Sequence, residues 1–249
     1  MTANNRMATP IQDQLLRKKD STDMRYPGLL AKWPVIGIIM FIFGSLMFGG
    51  LFYNLRAQGP LLAGDRVIAN TWPAIALKSP AFVKTIMDAG FYVGDQVIVV
   101  LGILLAVYFI YKRFWQELVM VTIGMAGSSL LFLSLSNLIA RQRPPTQIWI
   151  VVNVPGFPSG HASAVIVFYG LLAYLLASKM RSVLWKVVAV VAALLIIVFV
   201  GFSRVFTGGH YLTDVLAGYA VGIAWSGLVY TLIEVYFQKR RIHNVKTKR

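Results

Sequence analysis

The sequence predicts an all-α protein: a bundle of six membrane-spanning helices, with a short interfacial helical segment between the first and the second. Three observations carry that reading. Of 249 residues, 57 % are hydrophobic and only 13 % charged, where a soluble domain carries about 25 % charged residues. Mean hydropathy is +0.68. Six long apolar runs each approach the roughly 20 residues that cross the hydrocarbon of a bilayer. In lipid the backbone must satisfy its own hydrogen bonds, so runs of that length are helices and not buried strands.

Residues 1–33 are polar and basic, with neither an apolar core nor a small-residue cleavage site. They read as a retained cytoplasmic tail rather than a signal peptide. The spans follow at about Pro34–Leu55, Gly94–Tyr111, Glu117–Ile139, Ser159–Ala177, Leu184–Phe202 and Tyr211–Phe237, as one six-span domain over 34–237. Residues 238–249 form a second basic cytoplasmic tail. Between the first two spans, Val67, Ile68, Trp72, Ile75, Phe82, Val83, Ile86 and Met87 recur at roughly helical spacing among charged residues. The stretch from Leu61 to Phe91 is expected to form one or two short helices in the membrane interface, broken at Pro73 and Pro80. It is either a packed connector or a lid over a lipid head group.

Loop charges orient the bundle. With the N-terminus inside, 17 Lys and Arg fall on the cytoplasmic side and 7 outside. Both termini are then cytoplasmic, in a multi-pass protein of the cell membrane. Trp33, Trp115, Trp149 and Trp185 mark span ends as interfacial aromatics do. The net charge of +15 lies mostly beside the spans, which argues against a nucleic-acid partner. The chain has no cysteine, which excludes disulfides, thiolate metal sites and a cysteine nucleophile.

Chemistry-bearing residues collect at the outer span ends. Arg143 follows the third span, Ser159-Gly160-His161 opens the fourth, Arg204 ends the fifth, and His210 opens the sixth with Asp214 four residues on. Ser159 suits a helix N-cap, and Gly160 lets a ligand approach the backbone of a helix N-terminus, a ready anion site. Arg143 and Arg204 add forked donors that match phosphate oxygens. His210 and Asp214 share a helix face. A carboxylate bonded to one ring nitrogen fixes the tautomer and leaves the other nitrogen to attack. Gly208-Gly209 removes side-chain bulk beside the substrate, and His161 can act as general acid. The set describes phosphoryl transfer by positioning and charge stabilisation. A transition-metal site from His161, His210 and Asp214 is the competing use; the arginines would repel the cation. His243 reads as a solvated tail residue, Ser203 as a helix-end or phosphate-binding hydroxyl, and Asp65, Asp88 and Asp95 as solvated or capping groups. Gly124, Gly127, Ser128, Gly218 and Gly222 are expected to permit close helix packing.

These fragments resemble the type 2 phosphatidic acid phosphatase superfamily, the integral-membrane lipid phosphate phosphatases. That family's pattern is a lysine with Arg-Pro seven residues on, then Pro-Ser-Gly-His, then Ser-Arg, five residues, His, three residues, Asp. The second part stands complete as Pro158 to His161, and the third as Ser203, Arg204, His210 and Asp214. In the first, Arg143-Pro144 is present but Ser136 occupies the lysine position, with Arg141 a nearby candidate substitute. The resemblance covers about Pro34 to Phe237. It implies a metal-independent phosphatase without cofactor. His210 would form a phosphohistidine with help from Asp214. His161 would protonate the leaving group, and Arg143, Ser159, Gly160 and Arg204 would hold the phosphate. Phosphatidic acid, phosphatidylglycerophosphate and undecaprenyl pyrophosphate are the substrate classes it suggests. The site would face the extracytoplasmic side. Ser136 motivates one alternative, a catalytically weakened member acting as a lipid-binding or scaffold protein. The phosphate-site pattern is also shared with vanadium haloperoxidases, but the missing lysine and the membrane spans argue against oxidative chemistry on bound vanadate. If the lost charge weakens phosphate binding, Ser136→Lys should lower KM or raise turnover.

Overall fold

The computed structural model describes residues 29–145 and 154–246. The N-terminal tail up to residue 28, Trp149 and residues 247–249 lie outside the described residues. Every regular element among those described is a helix: α1 (Leu29–Lys32), α2 (Pro34–Arg56), α3 (Leu61–Lys78), α4 (Ala81–Gly94), α5 (Gln96–Tyr111), α6 (Trp115–Ile139), α7 (Gly160–Lys179), α8 (Val183–Phe206) and α9 (Leu212–Lys246). Six helical stretches are long and apolar enough to cross a membrane, and the chain is a multi-pass membrane protein.

Helix α9 is the axle. Its most apolar window is 61 % buried, whereas that of α2 is 17 % buried and turns the rest of its surface to lipid. The α2–α9 seam depends on missing side chains. A Cβ on Gly37 would lie 2.6 Å from the Gly227 carbonyl, and one on Gly44 would lie 2.5 Å from that of Ala220. Without a hydrophobic drive between helices in lipid, such backbone approach supplies the dispersion contact. The small residues expected to face neighbouring helices do so. Gly124 and Gly127 lie under Tyr230 and Trp225, Gly222 lies against Ile166, and the Ser128 and Ser163 hydroxyls are 2.9 Å apart. Indole and phenol groups stitch the same seams: Trp225 Nε1 donates to the Gly124 carbonyl at 2.9 Å, and Tyr230 donates to that of Val167 at 3.1 Å.

The second span departs from expectation. Helix α5 has 16 residues, which at 1.5 Å rise reach about 24 Å, short of the ~30 Å hydrocarbon. Helix α4 supplies the rest. The chain breaks at Asp95 and continues, so Ala81–Tyr111 forms one interrupted span. Only α3 remains as a separate segment. Pro80 separates α3 from α4 as expected, but Pro73 lies inside α3. An internal proline removes one helical hydrogen bond; burial of its ring offsets that loss. At the far terminus α9 runs past Phe237 to Lys246, so Lys239, Arg240 and Arg241 stand on helix and not on a separate tail.

The two ends of the bundle differ in chemistry. At one end Glu234, buried on α9, accepts the Tyr174 hydroxyl and, at 2.7 Å, the Ala31 N–H, which docks α1. At the other end meet the C-terminal ends of α2, α6 and α8 and the N-terminal ends of α7 and α9. The motif residues are gathered there.

Candidate active site

Ser159 is the N-cap of α7. Its hydroxyl accepts the Ala162 N–H at 3.4 Å, which satisfies one of the unpaired donors of a helix start. Its own N–H is bound to the Asp214 carbonyl at 2.9 Å, which ties the start of α7 to the start of α9. That tie is possible because residue 218 has no side chain: a Cβ there would lie 2.3 Å from the Ser159 carbonyl. Gly160 is covered by the Phe132 ring, 2.9 Å from where its Cβ would stand.

His210 is 2 % exposed and lies in the turn between α8 and α9. The Arg204 carbonyl closes that turn by accepting the N–H groups of Gly209 and His210, at 2.9 and 3.2 Å. Gly208 adopts φ 72°, a left-handed conformation that glycine takes without steric cost. The first of the two glycines is therefore required by the turn, beyond any clearance it gives a substrate.

Both His210 nitrogens are engaged. Nδ1 is 2.9 Å from the Gly156 carbonyl, and Nε2 is 3.0 Å from Nη1 of Arg143. A carbonyl can only accept and a guanidinium can only donate. The ring is therefore held as the Nδ1–H tautomer, with the Nε2 lone pair turned towards the arginine. Asp214 Oδ2 is 3.6 Å from Nδ1. The tautomer is thus fixed first by a backbone carbonyl with the carboxylate behind it, where the sequence pattern predicts the carboxylate bonded to the ring nitrogen. Burial is the largest influence on His210 and lowers its proton affinity; Asp214 opposes this, while Arg143 and Arg204 lower it further. Burial and the two arginines thus favour the neutral ring.

His161, in the first turn of α7, has its ring centroid 6.4 Å from that of His210. Its Nε2 is buried without a hydrogen-bond partner. The Phe91 ring centroid stands 5.2 Å from that of His161, and the Arg204 guanidinium lies over the Phe91 ring, 4.8 Å from its centroid. Arg204 is 7 % exposed, and its Nε donates to the Ser203 hydroxyl at 3.3 Å. Ser203 in turn donates to the Val200 carbonyl at 2.7 Å, which makes it a helix-interior hydroxyl that steadies Arg204. Arg143 is braced by the carbonyls of Val154 and Gly209 at 2.8 and 2.9 Å. Burial lowers the affinity of Arg143 for its proton and Asp214 opposes the shift.

Every motif residue named from the sequence is therefore at one end of the bundle. The surrounding parts differ from expectation. Asp65 is not solvated: it is 2 % exposed, is paired with Arg141 at 2.8 Å, and accepts the first-turn Thr213 N–H of α9 at 3.0 Å. Arg141 is not a stand-in for the family lysine, because Nη1 and Nη2 are committed to Asp214, Thr213 and Asp65. Ser136 is fully buried and donates to the Pro155 carbonyl at 3.1 Å, one residue before the carbonyl that orients His210. Phe91 and Gly156 were not singled out. Gly156 carried a weak signal, standing between two prolines in Pro-Gly-Phe-Pro. Among the described residues, no three His, Asp or Glu side chains cluster as a metal ion requires.

Fold and site together define an integral-membrane helical protein with two imidazoles, two guanidinium groups and a carboxylate assembled at one end of its bundle. Residues 117–237, just under half of the chain, match the PAP2 superfamily. Over 148 residues it is 32 % identical to phosphatidylglycerophosphatase B of Bacillus subtilis (strain 168), which covers 57 % of this chain and 66 % of that protein, just under two thirds of its length. It is similar in fold to the crystal structure of a transmembrane PAP2-type phosphatidylglycerolphosphate phosphatase from Bacillus subtilis. There the TM-score is 0.66 at 24 % identity, over 82 % of this chain and 96 % of that one.

Proposed function

We propose that the protein is a lipid phosphate phosphatase working through a phosphohistidine on His210. The observation that carries this reading is the placement of His210 Nε2. It is a lone pair on a tautomer-locked ring, 3.0 Å from an arginine donor, with a second imidazole 6.4 Å away centroid to centroid. A phosphoryl group entering there takes over the Arg143 contact. Arg204 and the N–H groups at the start of α7, beyond Ser159 and Gly160, complete the anion cradle.

In the first step Nε2 attacks phosphorus, the P–N bond forms and the bond to the lipid oxygen breaks. Protonated His161 gives its proton to that oxygen, which leaves as an alcohol or as the shorter phosphate. In the second step a water attacks the phosphohistidine. The P–N bond breaks, inorganic phosphate departs, and His161 recovers a proton from the water. Asp214 stabilises the charge that the His210 ring carries while phosphorylated. No step calls on a metal or a cofactor.

The substrate class that the named relative suggests first is phosphatidylglycerophosphate; phosphatidic acid and undecaprenyl pyrophosphate are the comparators. Purified protein in detergent, assayed on the three side by side with and without a chelator, is expected to release phosphate from at least one, equally in both conditions. No release from any of them, or a rate equal to that of His210→Ala, would leave the lipid-binding or scaffold reading. We place both termini in the cytoplasm and the site on the extracytoplasmic face, on the strength of the loop charges. The native chain has no cysteine, so single cysteines at Ala57 and Lys112 test this: an impermeant thiol reagent added to intact cells should label the first only.

A further inference from the structure

We propose that Asp65 and Arg141 are positioning residues for the nucleophile, and that α3 is thereby a working part of the site rather than a connector or a lid. The inference rests on His210 being the nucleophile of the proposed reaction. It begins with the two acceptors that face His210 Nδ1: the Gly156 carbonyl at 2.9 Å and Asp214 Oδ2 at 3.6 Å. Arg141 holds both. Its backbone carbonyl accepts the Gly156 N–H at 2.7 Å, and its Nη1 donates to Asp214 Oδ1 at 2.5 Å. One residue therefore fixes the loop on one side of the ring and the carboxylate on the other.

Arg141 is itself fixed from α3. Its Nη2 donates to Asp65 Oδ2 at 2.8 Å, and its guanidinium lies 4.2 Å from the centroid of the Tyr211 ring. Asp65 also grips the start of α9 directly. Its Oδ1 accepts the Thr213 N–H at 3.0 Å, and its Oδ2 accepts the Thr213 hydroxyl. Asp214 has one further donor of its own, the Tyr211 N–H at 3.0 Å, which closes the first turn of α9. Two carboxylates share one guanidinium in a buried setting, with side-chain exposures of 1 % for Asp65, 0 % for Asp214 and 11 % for Arg141. Breaking one member of such a set leaves an uncompensated buried charge. The remaining carboxylate then loses its fixed relation to Nδ1, and the backbone at residue 141, from which the Gly156 loop hangs, loses the anchor of its own side chain. A guanidinium can bridge two carboxylates as a planar fork; an ammonium at the same place is a point charge and cannot.

Two readouts test this. The chain has three histidines, so ring-nitrogen NMR of 15N-histidine-labelled protein resolves them without any substrate. The wild type should show one ring, absent from His210→Ala, held as the Nδ1–H tautomer. In Asp65→Asn and in Arg141→Lys that ring should become a mixture of tautomers. In the phosphate-release assay the same variants should lose about 10–100-fold in kcat, the scale of outer-shell orienting groups, with KM changed less than about threefold. Asp65→Glu, which restores the charge, should recover part of the loss. An unchanged His210 ring in Arg141→Lys overturns the proposal, as does a loss confined to KM, which would make these groups substrate contacts. If Asp65→Asn cannot be purified folded, Arg141→Lys alone decides, because it keeps the buried charge. A wild type that hydrolyses nothing refutes the phosphatase reading and leaves the tautomer experiment to judge the clamp.

Discussion

The two histidines occupy differently built halves of the site. His210 is held from every side: a carbonyl on Nδ1, a guanidinium on Nε2, and a glycine-bearing turn beneath it. His161 stands on the first turn of α7 between Phe91 and the His210 ring, with Nε2 unpartnered. A buried polar atom without a partner costs stability of about 1–3 kcal/mol. A folded protein keeps such a group where something else completes it. The difference fits the roles proposed for them: a nucleophile must be aimed in advance, and an acid must be free to meet the departing oxygen.

The largest expected effect is on the aimed half. His210→Ala should reduce phosphate release by about 10⁴-fold or more, and denaturing gels after a labelled-phosphate pulse should show no phosphoprotein. His161→Asn should cost about 10²–10⁴-fold on a lipid phosphate. It should cost far less on an aryl phosphate, whose phenolate leaves without a proton. Equal losses on both substrates would mean that His161 binds phosphate rather than serving as the acid. Arg143→Lys keeps the charge but loses the fork that spans Val154, Gly209 and Nε2, and a loss of about 10²–10³-fold is expected. The pH profile gives a smaller test. His210 must be neutral to attack, and its depressed proton affinity keeps it neutral into mild acid. The acid limb of kcat/KM should therefore fall below the ordinary histidine value of about 6.5, and a limb above 6.5 would contradict the buried, arginine-flanked setting.

Ser136 offers the finest comparison, since it touches the aimed half through its loop. Ser136→Ala should lower kcat a few-fold by releasing the Pro155 carbonyl, a hydrogen bond worth about 1 kcal/mol. Ser136→Lys adds the charge but displaces the same loop, so the two consequences separate: KM reads the charge and kcat reads the loop. Gly218→Ala should push Ser159, and with it the start of α7 that carries His161, off α9. A loss of about 1–3 kcal/mol is expected, read as a lower thermal midpoint.

Most of the architecture was legible before any coordinates. Membrane spans are long, strongly apolar and locally encoded, so their number and the helix ends that carry motifs could be read directly. The misreadings fell where hydropathy and tertiary packing disagree. Asp95 interrupts a span that continues as α4, and Pro73 is tolerated inside α3 because it is buried. Asp65 looked like a solvated residue of an amphipathic segment. It is a buried partner of Arg141, 76 residues away in sequence, and only the folding of α3 against the start of α9 makes that pair.

By itself the sequence determined the helical membrane class and the identity of the chemistry-bearing groups, because both are written in short local patterns of side-chain type. Which acceptor holds His210, why residue 141 is unavailable to a phosphate, and what the serine at 136 does were settled only in three dimensions. Those are distances between residues far apart along the chain, fixed by how closely helices approach where glycines allow it. No local pattern encodes them.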